Sequence, residues 1–159
     1  MTNSASQVPR RTRVGLRVRT EATDHRRVLF GCDVGKFSSS SLGIMSTKLW
    51  DLDEGFGTSL KMSKAQRLET GDSAMTHSML ITAVHIDEKS GKPTRWRIEN
   101  SWGPDVGEKG YFVMDDEWFS EYVYQVCADR KYVDSKLVDL FDKGEPTVLP
   151  PWDPMGTLA

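Results

Sequence analysis

The stretch from His77 to Gly110 reads HSMLITAVHIDEKSGKPTRWRIENSWGPDVGEKG, and it decides the fold. An apolar run rich in branched residues, Met79 to Ile86, predicts a strand with one deeply buried face. After a polar Ser-Gly turn, the alternation from Thr94 to Glu99 predicts a second strand with Trp96 and Ile98 facing one way. Two such strands form an antiparallel pair, so a side chain at the start of the first can meet one at the end of the second.

The residues at those two positions are His77 and Asn100, an imidazole and a carboxamide. An imidazole that takes a proton from a nucleophile needs a further group to orient its ring. The amide oxygen of Asn100 can accept from the second ring N–H and fix the tautomer, without adding negative charge. We expect Trp102 to shield this bond from water.

Each of these residues also has a structural interpretation. A lone histidine at a strand start is more often structural, and an asparagine at a strand end is usually a turn former. The pair stands 23 residues apart, with Ser-Trp-Gly directly after the asparagine, and this combination favours a catalytic pair. His85 is expected to be structural within its strand, and His25 lies in the first segment of the chain.

Four motifs carry a family resemblance: Thr76–Met79, Glu99–Gly103, Asp116–Tyr122 and the tail Pro151–Ala159. They resemble the C-terminal portion of the bleomycin hydrolase family of papain-like cysteine proteases, from about Val28 onward. The resemblance implies an α+β fold: the antiparallel β-rich half of a papain-like protease, with short flanking helices and an extended C-terminal arm. It also implies that His77 and Asn100 are the family's catalytic His and Asn.

The resemblance further implies a cysteine-type aminopeptidase that hydrolyses peptide bonds through a thioester and uses no cofactor. Its substrates would be peptides with a free N-terminus, whose amine meets the terminal carboxylate of Ala159. The family assembles as a hexameric, barrel-like homo-oligomer in the cytoplasm. No metal-ligand spacing is present, because His77 and His85 lie eight residues apart without a matching cysteine pair.

The nucleophile is the difficulty. In papain-like enzymes it precedes the histidine by roughly 130–150 residues, and counting back that far from His77 passes Met1. Cys32 and Cys127 lack the family's sequence context, and we expect both to be small buried hydrophobes. The oxyanion-hole glutamine is absent as well, so we expect the isolated chain to be catalytically incomplete. Two alternatives stay open: a non-catalytic assembly subunit or pseudoenzyme, and an artefact of transcript assembly.

Composition divides the chain of 159 residues into three parts. Residues 1–27 form a divergent basic leader, predicted to be disordered, in which seven arginines oppose Glu21 and Asp24. The predicted β-domain covers 28–145, and a proline-rich arm covers 146–159. The net charge of −2 divides into +5 for the leader and −7 for the remainder, which gives no indication of nucleic acid binding. No apolar run predicts a membrane span or a secretory signal.

Three short helices are predicted. A capping box, Ser63 to Gln66, predicts a helix that ends near Glu69. Acidic residues open a second helix from Glu117 to about Tyr122, with a strand following through Val126 to Arg130. The segment Asp134–Lys143 predicts an amphipathic helix with Val133, Leu137, Leu140 and Phe141 on one face. Since the β-half of a two-domain protease exposes its former domain interface, we expect an isolated chain to be marginally stable and prone to associate.

Overall fold

The computed structural model describes residues 27–59 and 61–155. Within them, seven strands form one mixed sheet in the order β2-β3-β6-β5-β4-β1-β7. Neighbouring strands are antiparallel except for β3 and β6, which run parallel. The strands are β1 Val28–Cys32, β2 Ser38–Ser39, β3 Ile44–Met45, β4 His77–Ile86, β5 Pro93–Glu99, β6 Tyr111–Asp115 and β7 Val123–Cys127.

The central hairpin of β4 and β5 is present as the sequence predicts. Ile81 pairs with Ile98, and Leu80 pairs with Glu99 at the end where the two strands meet their flanking loops. Strand β4 begins at His77, as predicted. Its burial is less extensive than predicted, since the register shifts after Ile81 and Ala83 is exposed beyond that point.

One hydrophobic core lies on the inner face of the sheet. Its completely buried aromatic side chains are Phe30, Trp96, Phe112 and Trp118, and aliphatic and sulfur-containing side chains fill the space between them. Burying each side chain of this size removes it from water and stabilises the fold by about 1.5–3 kcal/mol. The alternation predicted for β5 is confirmed, because Trp96 and Ile98 are buried while Arg95 and Arg97 are exposed.

Four α-helices connect or flank the strands in the described part of the chain: α1 Leu52–Phe56, α2 Lys64–Glu69, α3 Asp116–Tyr122 and α4 Ser135–Lys143. The predicted capping box starts α2: Ser63 Oγ accepts from Gln66 N at 3.2 Å, and Gln66 Oε1 accepts from Ser63 N at 2.9 Å. Arg67 of α2 is buried and donates to Glu121 Oε2 of α3 at 2.8 Å. This contact holds α2 against α3.

Helix α3 packs onto the sheet through its aromatic side chains. It begins one residue earlier than predicted, because the carboxylate of Asp115 caps the backbone amide of Trp118 at 2.6 Å. The ring of Phe119 stacks on Trp96 with 5.0 Å between centroids, and the Trp118 indole N–H donates to the carbonyl of Lys36 at 2.7 Å. Together these contacts fix the helix over the inner face of β5.

Some local predictions were wrong. The serine-rich stretch 37–42 contains β2, and the stretch 43–56 contains both β3 and α1, none of which the sequence pattern predicts. Strand β7 ends at Cys127 instead of continuing to Arg130, where a 3-10 turn, Arg130–Tyr132, begins. The tail is not simply extended, since Asp153 N donates to Pro150 O at 3.0 Å and residues 151–155 form turns. A two-residue strand such as β3 depends on pairing with a distant strand, here β6, which local propensity does not encode.

The C-terminal helix α4 has the predicted amphipathic pattern but no apolar partner within the described residues. Leu137, Leu140 and Phe141 are exposed, Phe141 to 82%. The proposed division at residues 27 and 145 stays a prediction, and residues 1–26 of the leader 1–27, together with Ala159, lie outside the described residues. Among the described residues, no helix is long and apolar enough to cross a membrane.

Candidate active site

The structure brings His77 and Asn100 into direct contact. His77 opens β4, Asn100 directly follows β5, and His77 Nε2 lies 2.9 Å from Asn100 Oδ1. An amide oxygen only accepts hydrogen bonds, so the ring must donate from Nε2. In the neutral imidazole this leaves Nδ1 with a free lone pair, which is the form of a ring that can take a proton from a thiol.

Backbone contacts hold Asn100 at this position. Its backbone N–H donates to Gly110 O at 3.0 Å, which closes the loop that follows the hairpin. Its side-chain Oδ1 also accepts from Ser101 N at 2.8 Å, so two donors converge on one oxygen. The Nδ2 of the same amide is buried without a hydrogen-bond partner among the described residues. The two donors at Oδ1 therefore decide which way the amide faces.

Trp102 stacks on the imidazole. The centroids of the His77 and Trp102 rings are 4.8 Å apart and the planes are inclined by 24°. The edge of Phe112 in turn contacts Trp102, with 6.3 Å between centroids and an interplanar angle of 78°. Trp102 is itself 43% exposed, so it covers one face of the histidine ring while its own outer face meets solvent. The role of Phe112 was missed, because alternation marks it only as a buried strand residue.

Cys32 is the cysteine nearest to the histidine in register. It pairs with His77 across β1 and β4, which places both side chains on the same face of the sheet. Its side chain is fully buried, as expected, so no peptide carbonyl can approach its sulfur. Burial raises the pKa of the Cys32 thiol well above its ordinary value, and the neighbouring Asp33 carboxylate raises it further. The structure therefore holds Cys32 as a neutral thiol of the core.

The prediction that Cys127 is buried was wrong. Cys127 is exposed, and it pairs with Leu29 on the edge strand β7. Leu29 lies three residues from Cys32 along β1, or about 10 Å, and its side chain points to the other face because of the odd spacing. Cys127 therefore lies on the opposite face of the sheet from His77.

A buried polar cluster supports the segment that leads into His77. Ser73 Oγ donates to Asp33 Oδ2 at 2.7 Å, and Ala74 N donates to the same oxygen at 3.3 Å. Thr76 N then donates to Cys32 O at 2.9 Å, which begins the pairing of β1 with β4. These bonds fix the backbone directly before the histidine. The sequence offered no indication of this cluster, since serine and aspartate before a strand are common turn residues.

The proline-rich tail returns to the same end of the sheet. Met75 N, two residues before His77, donates to Pro154 O at 2.9 Å. Asp153 Oδ1 accepts from Met155 N at 2.8 Å and shapes the turn at that point. A bond between two backbone groups leaves no mark in residue types, so the sequence could not show it. His85 lies farther along β4 and is exposed, and no cluster of metal-ligating side chains occurs among the described residues.

Comparison with known proteins agrees with this geometry. The model of the peptidase C1-like family matches residues 17–156. The chain belongs to the peptidase C1-like family. It is 54% identical over 138 residues to bleomycin hydrolase of Homo sapiens, covering 86% of this chain and 30% of that protein. It is 44% identical over 136 residues to aminopeptidase C of Listeria monocytogenes, covering 86% and 30%.

A solved structure confirms the fold class. The structure of PepW from Lactobacillus rhamnosis HN001 matches with a TM-score of 0.81 and 47% identity, covering 88% of this chain and 31% of that one. The resemblance inferred from the Glu99–Gly103 and tail motifs is therefore confirmed. The chain spans about 30% of the length of the curated relatives that it matches.

Proposed function

We propose that this chain supplies the histidine and asparagine of a cysteine-type aminopeptidase of the bleomycin hydrolase kind. The observation that carries the proposal is the hydrogen bond of 2.9 Å between His77 Nε2 and Asn100 Oδ1. It orients a ring whose other nitrogen can exchange a proton with a thiol. Trp102 stacks on that ring, which supports a role in shielding the bond from water.

In the proposed reaction His77 acts as base and then as acid. Its Nδ1 takes the proton of a thiol, and the thiolate attacks the carbonyl carbon of the peptide bond. The resulting imidazolium gives its proton to the leaving amine as the C–N bond breaks, which leaves a thioester. Water, deprotonated by the same ring, then attacks the thioester and releases the acid and the thiol. Asn100 keeps the ring in one tautomer through both halves.

We propose that the sulfur comes from polypeptide outside these 159 residues. Cys32 is buried with a raised thiol pKa, and Cys127 faces away from His77. The same argument applies to the oxyanion-hole glutamine, which the sequence does not provide at a position before a competent cysteine. The 159-residue chain by itself should therefore show no peptide turnover.

The described part of the tail supports the proposed role of Ala159. The bond from Met75 N to Pro154 O anchors the arm two residues before the histidine. Four residues follow Met155, and four extended residues span at most about 13–14 Å. We propose that the Ala159 carboxylate binds the amine of peptides with a free N-terminus. A homo-oligomeric particle in the cytoplasm belongs to the same proposal, on the strength of the family resemblance alone.

A chimera tests the proposal. Replacing the matching segment of Homo sapiens bleomycin hydrolase with residues 28–159 of this chain should give an enzyme that releases N-terminal residues from fluorogenic peptides. His77→Ala in the chimera should lower kcat by about a thousandfold or more, since the residual rate comes only from binding and oxyanion contacts. Asn100→Ala should lower it less, because the imidazole remains.

The matched control is Ser78→Ala, on the residue next to His77, which is exposed and points to the other face. It should leave kcat and KM unchanged. An inactive chimera that folds and binds a peptide aldehyde would contradict the proposal, and so would a His77→Ala chimera with full activity.

A second candidate is a non-catalytic assembly subunit. The exposed apolar side chains of α4 favour it, since they resemble a surface that is covered in a larger particle. The test is whether the chain co-purifies with intact relatives and whether His77→Ala in this chain changes the turnover of the complex. Co-purification with unchanged turnover would favour this candidate over the first.

A further inference from the structure

The outer face of the sheet carries a groove that the proposed peptidase chemistry does not use. It has a volume of about 740 Å³ and lies over β3, β4, β5 and β6. Ile44, Val113, Arg97 and Ala83 follow one another across these four strands in register, and all four are exposed. Its size falls within the about 300–1,000 Å³ of pockets for small ligands, so it suits a few side chains rather than a domain.

The groove is positively charged around an apolar floor. Arg95, Arg97 and Lys109 line it, whereas Glu108 is its one acidic lining residue. The ion pairs among the described residues involve other side chains, so these three cations are unneutralised. The guanidinium of Arg97 lies 4.0 Å from the centre of the Tyr111 ring, which holds it over the floor.

The carboxylate that faces Arg95 across the sheet is already occupied. Asp115 pairs with Arg95 in register, but its side chain caps Trp118 N at 2.6 Å at the start of α3. The groove therefore complements a short segment that combines exposed apolar side chains with unneutralised acids. Charge complementarity of this kind steers association and fixes its register.

Helix α1 is such a segment on this same chain. It buries none of its residues, and Leu52 and Phe56 are 38% and 69% exposed. Its five residues span about 7.5 Å. Asp53 makes an exposed ion pair with Lys61 at 3.3 Å, while the side chain of Glu54 has no partner among the described residues. The helix thus presents an apolar face beside a free carboxylate.

Helix α4 is the other exposed amphipathic segment, and it fits the groove less well. Its acids are already neutralised: Asp142 binds Arg130 at 2.7 Å and Asp139 binds Lys143 at 2.8 Å. Docking α4 in the cationic groove would place Arg130 and Lys143 next to like charges. The free carboxylate of Glu54 distinguishes α1 from α4 as the occupant.

We propose that α1 of one molecule docks in the groove of a second copy, with Glu54 against Arg97 and the side chains of Leu52 and Phe56 over Ile44 and Val113. The two surfaces differ, so the contact is head-to-tail and generates a ring or an open chain of subunits. It specifies one contact of the oligomer proposed above and does not depend on the catalytic role of His77.

Charge reversal tests the contact through the sedimentation velocity of the 159-residue chain over micromolar to millimolar concentrations. Such a small interface predicts weak self-association. Arg97→Glu and Glu54→Arg should each weaken the association constant by about tenfold or more, since each replaces an attraction by a repulsion. An equimolar mixture of the two variants should associate again, because each supplies the surface that the other has lost.

The matched controls are Lys89→Glu and Glu88→Arg in the β4–β5 turn, outside both surfaces. They make the same charge changes and should leave the association constant unchanged. A peptide of residues 50–57 should compete with self-association, and a peptide of residues 135–143 should not. A monomer at millimolar concentration would overturn the proposal. So would reversal variants that associate like the original chain, or competition by the second peptide alone, which would make α4 the occupant.

Discussion

Helices α3 and α4 have similar sequences in outline and opposite surroundings. Each begins at an aspartate that caps a backbone amide, and each carries an apolar stripe. In α3 the stripe is buried, with Trp118 at 0% and Phe119 at 5% exposure, whereas in α4 Phe141 is 82% exposed. The difference teaches that an amphipathic pattern predicts a helix and its apolar face, but does not say whether a partner for that face lies in the same chain.

The largest expected difference is the loss of stability on removing Phe119 of α3 compared with Phe141 of α4. Phe119→Ala should lower the free energy of unfolding by about 3–5 kcal/mol, because it removes a buried ring that stacks on Trp96 and leaves a cavity. Phe141→Ala should change it by less than about 0.5 kcal/mol, as for exposed positions in general. Urea titrations followed by tryptophan fluorescence measure both values. Equal losses would show that α4 is packed in solution and end the comparison.

The arginines that bind these two helices should follow the same order, with a larger loss of stability at α3 than at α4. Arg67 is buried, binds Glu121 of α3 and donates to the carbonyl of Met62, so Arg67→Ala removes these contacts and the packing of its side chain and should cost about 2–3 kcal/mol. Arg130 binds Asp142 of α4 at the surface, and Arg130→Ala should leave Tm unchanged in 0.15 M salt. Thermal unfolding followed by circular dichroism measures Tm for both variants. A large drop in Tm for Arg130→Ala would contradict the view that α4 contributes little to stability.

The smallest expected effect concerns the two cysteines and pH. The Cys32 pKa is raised in the folded state, so the unfolded state loses the thiol proton first as pH rises. Stability from this group is full below the unfolded pKa of about 8.5, and above it declines by at most about 1.4 kcal/mol per pH unit until the folded pKa is reached.

Subtraction isolates that slope from the titration of other groups. The difference in unfolding free energy between the original chain and Cys32→Ala should shrink with rising pH above about 8.5. The control Cys127→Ser, at an exposed position, should keep the original slope. Parallel slopes for all three proteins would mean that Cys32 is more accessible in solution than its burial indicates.

The exposed stripe of α4 also bears on stability as a whole. Leu137, Leu140 and Phe141 are exposed together, which is the arrangement expected of a chain that is marginally stable or associates when isolated. The groove and α1 offer one route to association, and α4 offers another that a longer polypeptide would cover. The charge-reversal variants separate the two, because they alter the first and leave the second intact.

Local pattern predicted most of what lies near the candidate site. Alternation located β5, the capping box located α2, and the spacing of His77 and Asn100 within a hairpin put their side chains in reach of each other. It failed for β3, whose two residues pair with β6 far away in sequence, for β2, which pairs with β3, and for α1, a short helix that buries none of its residues. It failed for Cys127 as well, because an apolar alternation on an edge strand does not say which face is covered.

The amino-acid sequence by itself determined the hairpin, the family and the identity of the imidazole–amide pair, since hydrogen-bonding periodicity and residue chemistry are local properties. Tertiary structure alone decided which surfaces are covered. It buries Cys32 on the strand next to His77 and leaves Cys127 exposed to solvent. It also returns the tail to Met75 and brings cations from separate strands into one groove. The burial of a side chain and the charge around it depend on residues that are distant in the chain, and only the folded backbone brings those residues together.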